Sequence, residues 1–340
     1  MQEKRASKLA ADMKSGTCKP SEIMEQTLDV IEVINPTVNA IVALRKRKEL
    51  LDEAHRLDSS DATGPLHGLP VAIKDLHATR GITTTWGSPL YANHVPKHDD
   101  LLPARLRAAG AIIIGKTNTP EFGLGSNTFN PVYGQTLNPY DHSRTPGGSS
   151  GGAAAALATG MLTIADGSDM MGSLRNPAAW CGVWALRPTV GLVPKSEASD
   201  PILARLSTDG PMARHPEALR LLLDVLAAPH PTWPIRPTLD QPSIKTLDEL
   251  KIGWLSDWSG SLPFESGILE ISERALKVMA KAGAEVTELP APIPQNAMWQ
   301  SWETLRHRRR HFSCQQYARR ADAKPAGLTG SARCFGTSID

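Results

Sequence analysis

Cysteine is scarce in this chain. Cys18, Cys181, Cys314 and Cys334 are the four in 340 residues, and no two form a C-x-x-C pair. That pattern argues against a disulfide scaffold or a zinc knuckle. Net charge is small as well, +2 at pH 7, which argues against a dedicated nucleic-acid surface. Long apolar runs are missing: none approaches the ~18 residues that a membrane helix needs. The start, Met1-Gln2-Glu3-Lys4-Arg5, leads into a polar helical pattern rather than the apolar core of a leader. The expectation is a cytoplasmic protein with no nucleic-acid or membrane partner. What is present, 41% hydrophobic and 21% charged residues, is the composition of a soluble globular chain.

The small net charge hides an uneven distribution. Residues 305–340 hold seven Arg and one Lys against two Asp. The run His307-Arg308-Arg309-Arg310-His311 opens a stretch with no sustained apolar period. We expect two parts: residues 1–305 as the folded domain, and 306–340 as an Arg-rich tail, disordered or read in a shifted frame.

Before that tail, helical and strand patterns alternate. Met24, Leu28 and Ile31 put a helix over 21–34, stopped by Pro36. A second helix is predicted over 39–55. Leu69–Ile73 reads as a buried strand ending at Lys74, 102–109 as a helix, and Ala111–Ile114 as a strand closed by Gly115. The Gly-, Asn-, Ser- and Pro-rich stretch 123–152 reads as a long loop of the kind that carries function. Ala153–Thr159 is predicted helical with Gly160 at its C-cap, Met161–Ala165 a strand, and 216–228 a helix. Five prolines between Pro229 and Pro242 mark the expected hinge. A strand at 248–255, a helix at 266–282 and a strand at 284–288 follow. The alternation predicts an α/β fold with a mixed central sheet covered by helices.

Two rival motifs fail on context. Gly110-Ala111-Ile112-Ile113-Ile114-Gly115-Lys116-Thr117 matches the phosphate-loop pattern, but its interior is itself the strand, and Asn118-Thr119-Pro120 is a poor helix opening. Gly147-Gly148-Ser149-Ser150-Gly151 matches the nucleophile elbow, but no buried strand precedes it. Among the ten histidines, His94 and His98 are split by Pro96, and His307 and His311 lack a neighbouring Glu. No metal or cofactor is expected. Trp180, Trp184, Trp254, Trp258, Trp299 and Trp302 read as core or pocket wall.

Three runs remain that fit one catalytic device. They are Val71-Ala72-Ile73-Lys74-Asp75, Gly147-Gly148-Ser149-Ser150-Gly151-Gly152, and Asp169-Met170-Met171-Gly172-Ser173-Leu174-Arg175. Serine is a poor nucleophile without a neighbouring base. A lysine in an apolar wall loses basicity through burial and becomes such a base. A serine between base and nucleophile can pass a proton either way. Taken singly, Lys74 would be a surface lysine, Ser149 and Ser150 turn residues, and Ser173 a helix cap.

Together, at this spacing, and with Gly115–Phe122, Asn138-Pro139-Tyr140 and Ser143–Pro146 around them, the runs resemble the amidase signature family over about residues 6–305. The resemblance implies that Ser173 is the acyl-accepting nucleophile. It implies that Ser149, on a cis peptide, relays protons, that Lys74 is the base, and that Ser150 supports the relay by hydrogen bonding. Backbone N–H groups around Met170, Met171, Gly172 and Ser173 would form the oxyanion hole, with Asp169 and Arg175 holding that loop. Met171 departs from the family's usual glycine. It would be penalised if the site needs φ > 0, and otherwise would narrow the acyl pocket.

Family members continue with further strands and helices, so the fold is expected to be incomplete on its C-terminal side. The implied activity is hydrolysis of a small carboxamide through an acyl-serine. The alternatives are an inactive truncated relative and an amidotransferase A-type subunit working with a partner. Homodimerisation is left open.

Overall fold

The helix over residues 20–38 shows how local chemistry and packing combine. Pro20 occupies the first turn, where its missing N–H costs nothing. The Glu22 carboxylate accepts the Lys19 N–H at 3.2 Å, and Met24, Leu28 and Ile31 bury one face. The helix does not stop at Pro36 as the sequence predicts. A proline so near the end forfeits a single backbone bond, and the chain closes three residues later. There Asn39 takes φ 53° and donates its N–H to the Asn35 carbonyl, while Asn35 Oδ1 accepts the Ala40 and Ile41 N–H groups.

The computed structural model describes residues 6–61, 64–195, 206–227, 229–231 and 246–307. All of the Arg-rich tail but residues 306 and 307, with Cys314, Cys334 and His311, lies outside them. So does most of the expected proline-rich hinge. The chain divides into two compact units, Met1–Leu239 and Asp240–Asp340.

The first unit opens with α1 (Ala6–Lys14) and the helix just described, α2 (Pro20–Val38). The predicted helix over 39–55 is replaced by a short strand β1 (Ile41–Val42) and α3 (Arg47–Leu57). The β-branched pair is claimed by the edge of a strand some seventy residues away, which local pattern does not show. Next come β2 (Pro70–Lys74), α4 (Leu101–Ala108) and β3 (Ile112–Thr117). β3 pairs in parallel with β2 and antiparallel with β1. The phosphate-loop look-alike is therefore a buried strand that runs through Gly115.

The expected long loop holds a hairpin of two-residue strands, β4 (Phe129–Asn130) and β5 (Gly134–Gln135), and ends where α5 (Gly151–Ala158) begins. The predicted strand at 161–165 instead lies at β6 (Ile164–Asp169), followed by α6 (Arg175–Trp180) and β7 (Trp184–Ala185). The polar run Asp166-Gly167-Ser168-Asp169 does not read as a strand. Its pairing with β8 (Thr208–Ala213) makes it one. β8 also pairs with β7, and α7 (Pro216–Leu226) closes the unit.

Parallel and antiparallel pairs coexist, so the architecture is mixed α/β. The β2 and β3 side chains are all buried, as expected where helices cover both faces. β2 and β6 lie side by side, and the Lys74 N–H reaches the Asp166 carboxylate between them at 3.0 Å. α5, buried from Gly151 to Leu157, fits closely because of glycine: a Cβ on Gly152 would clash with the backbone nitrogen of Asn118. Gly152→Ala is expected to cost about 1–3 kcal/mol through overpacking, measurable as a shift in the urea midpoint.

The second unit contains β9 (Lys251–Trp254), α8 (Ile268–Lys281) and β10 (Glu285–Glu288), with β9 and β10 parallel. This is a βαβ unit. Residues 295–307 are helical. No helix among the described residues is long and apolar enough to cross a membrane. Trp180, Trp184 and Trp299 are about half exposed rather than core.

Candidate active site

The end of β2 delivers Lys74 into the interior, where it is fully buried. Its Nζ meets three hydroxyls: Ser149 at 2.8 Å, Ser150 at 2.7 Å and Ser168 at 3.0 Å. Burial pushes the Lys74 ammonium down to about 7, against the pull of Asp166, Asp209 and Asp169. A surface or snorkelling lysine is thereby ruled out.

Ser149 follows a cis peptide bond from Gly148. The turn that carries it is pinned by Thr128, whose Oγ1 donates to the Gly147 carbonyl at 2.8 Å and accepts the Gly151 N–H at 3.1 Å. The Ser150 N–H donates to the Ser173 carbonyl at 3.2 Å, tying the glycine turn to the loop after β6. Ser173 is partly exposed, whereas Ser149 and Ser150 are buried.

Asp169 organises that loop. Its two oxygens accept the Gly172 N–H at 2.7 Å and the Leu174 N–H at 3.3 Å. Arg175 grips the same carboxylate with Nε at 2.9 Å and a second nitrogen at 3.1 Å, and Arg187 Nε lies 3.4 Å away. Burial works to raise the Asp169 carboxyl, but the bonds from Arg175 and Gly172 outweigh it and hold it below the usual range. Gly172 takes φ 103°, and Met171 stays out of the left-handed region. The methionine is therefore not strained, and its side chain is about half exposed. Asp169→Ala would orphan two backbone donors and an arginine. The expected loss is about 1–3 kcal/mol for each buried donor left unpaired, read by denaturant unfolding.

Sequence reasoning missed several participants. Ser168 gives Lys74 a third hydroxyl; its signal was the Gly167-Ser168-Asp169 run, immediately before the loop that carries Ser173. Asp166 touches the Lys74 backbone. Lys116 is a second fully buried lysine, donating to the His77 carbonyl at 2.6 Å and to Thr79 Oγ1 at 2.9 Å. Burial pushes it down to about 8, with Asp75 3.9 Å away opposing. Asp75 in turn accepts the Thr85 hydroxyl at 2.6 Å. These groups pin the segment after β2 beneath the site.

The structure thus sets a buried amine on Ser149 and Ser150, the first of them after a cis peptide, and braces the loop after β6 with Asp169 and Arg175. The amidase family model covers residues 22–325. The chain belongs to the amidase family. It is 40% identical to the A-type subunit of the glutamyl-tRNA(Gln) amidotransferase of Thermus thermophilus, over 85% of this chain and 61% of that protein. It is 37% identical to the indoleacetamide hydrolase of Bradyrhizobium diazoefficiens, over 86% of this chain and 57% of that one. The crystal structure of a bacterial aryl acylamidase of the amidase signature family superposes with a TM-score of 0.86 at 28% identity. That match covers 98% of this chain and 70% of the other. The chain thus spans about three fifths of the length of these two curated relatives.

Proposed function

We propose that this amidase-family chain hydrolyses the C–N bond of a small carboxamide through an acyl-Ser173 intermediate, with Ser149 as relay and Lys74 as base. The observation that carries this reading is the contact of the buried Lys74 amine with Ser149 and Ser150.

Ser173 Oγ attacks the amide carbon, and the carbonyl π pair moves to oxygen. The Ser173 proton passes to Ser149, whose own proton goes to Lys74. The oxyanion is met by backbone N–H groups. Asp169 already accepts those of Gly172 and Leu174, so the other N–H groups of the Met170–Ser173 loop take this role. Lys74 then returns the proton through Ser149 to the leaving nitrogen. The C–N bond breaks, and the acyl group stays on Ser173 until water, deprotonated along the same relay, releases it. None of these steps calls on a cofactor.

The test is a fluorophosphonate probe followed by intact-mass and peptide mapping. One adduct on the peptide carrying Ser173 is expected. An unlabelled, folded chain would instead favour the non-catalytic reading. A second productive reading is supported by the 40% identity to an amidotransferase A-type subunit. It predicts that partner subunits copurify and that ammonia from the acylation step is passed on rather than released. Free ammonia from the isolated chain with a simple amide would exclude that requirement.

A further inference from the structure

One buried carboxylate beside Lys74 is left half satisfied. Residues two apart on a strand share a face, so Asp166 and Ser168 of β6 point the same way. Ser168 reaches the Lys74 Nζ. Asp166 is 1% exposed, and its Oδ1 accepts the Lys74 backbone N–H at 3.0 Å. Its Oδ2 makes no hydrogen bond. The imidazole Nε2 of His77 lies 3.8 Å from that oxygen and is likewise without a hydrogen bond. Asp209 is 3.8 Å from the same His77 nitrogen, and Lys195 Nζ is 3.7 Å from Asp209.

An orphaned buried carboxylate oxygen costs stability, and such groups are rare in folded proteins. Its placement has a use if Lys74 changes charge during the reaction. When the serines give up a proton, the lysine becomes an ammonium that is fully buried. When ionised, the Asp166 carboxylate offsets that charge, and no second hydrogen-bond donor competes for its free oxygen. We propose that Asp166 is a positioning residue that anchors the Lys74 backbone through one carboxylate oxygen and stabilises the protonated lysine electrostatically. The proposal rests on the reading of Lys74 as base.

The charged groups facing Lys74 include Asp166 and Asp169 on β6, Asp209 on β8 and Lys195. Asp166 pulls most strongly toward the ammonium, ahead of Asp209 and Asp169. Those facing Asp166 include His77, Lys116 and Asp209. Burial raises the Asp166 carboxyl, and His77 and Lys116 oppose the rise.

The test is Asp166→Asn, which keeps an oxygen for the Lys74 N–H and removes the charge. Lysine-selective ¹³Cε NMR follows the Lys74 titration directly, with its resonance assigned by Lys74→Met. The Lys74 midpoint is expected to fall by about one unit in the variant. The acid limb of probe labelling should move by the same amount. An unmoved NMR midpoint in a folded variant overturns the proposal. A midpoint that falls while the labelling profile stays fixed supports the proposal and refutes Lys74 as the base. Should Asp166→Asn not fold, aspartate ¹³Cγ NMR on the parent chain tests the same coupling. An Asp166 inflection at the Lys74 midpoint, lost in Lys74→Met, supports it, and a featureless trace overturns it.

Discussion

Lys74→Met is expected to slow acylation of Ser173 by about 10³-fold while the chain stays folded. Methionine fills the lysine stem's path without a nitrogen, so the packing of β2 survives and the proton acceptor does not. The loss should appear in the rate of probe labelling. The parent's pH profile carries the sign. A base works only when unprotonated, and the Lys74 amine is protonated below about 7. Labelling should therefore rise with pH through about 7 to a plateau, and in Lys74→Met this limb should vanish.

Stability moves too. Between about 7 and its ordinary 10.5, Lys74 holds a proton in the unfolded chain and not in the folded one. Lys74's share of folding stability thus grows as pH rises through that window. Lys74→Met removes this slope. Below pH 7 it also removes the cost of burying a charge, so the variant should unfold at higher urea there than the parent. A variant that is less active yet more stable is the expected mark of a residue kept for chemistry.

Ser173→Ala is expected to abolish the covalent adduct and to reduce amide turnover by about 10⁵–10⁶-fold. Exposure decides which serine this should be. Ser149 is buried against Lys74, whereas Ser173 is partly open on the loop after β6. Ser149→Ala breaks the relay and leaves the attacking oxygen, so a slow adduct should remain on the Ser173 peptide. An adduct surviving in Ser173→Ala and mapping to Ser149 would reverse the two assignments.

Much of this site was legible as text. Val71-Ala72-Ile73-Lys74 announced a lysine at the end of a buried strand. The glycines around Ser149 announced a turn where backbones approach closely, as the space at Gly152 bears out. Asp169 and Arg175, six residues apart, are joined by a hydrogen bond at 2.9 Å. The strand that carries Ser168 and Asp166 was not legible, because a polar run with glycine carries no strand signal until a neighbour pairs with it. The first part of the helix expected over 39–55 failed for the same reason, with Ile41 and Val42 drawn to the edge of β3, whereas 47–55 is helical.

By itself the sequence determined the α/β class and the family. Those follow from residue type and spacing, which are local. Only the tertiary structure decided that Lys74 is fully buried, that three hydroxyls meet its amine, and that Asp166 stands beside it with an oxygen to spare. Burial and electrostatics depend on groups brought together from β2, β6, β8 and the glycine turn. No local pattern specifies how far apart such groups come to rest.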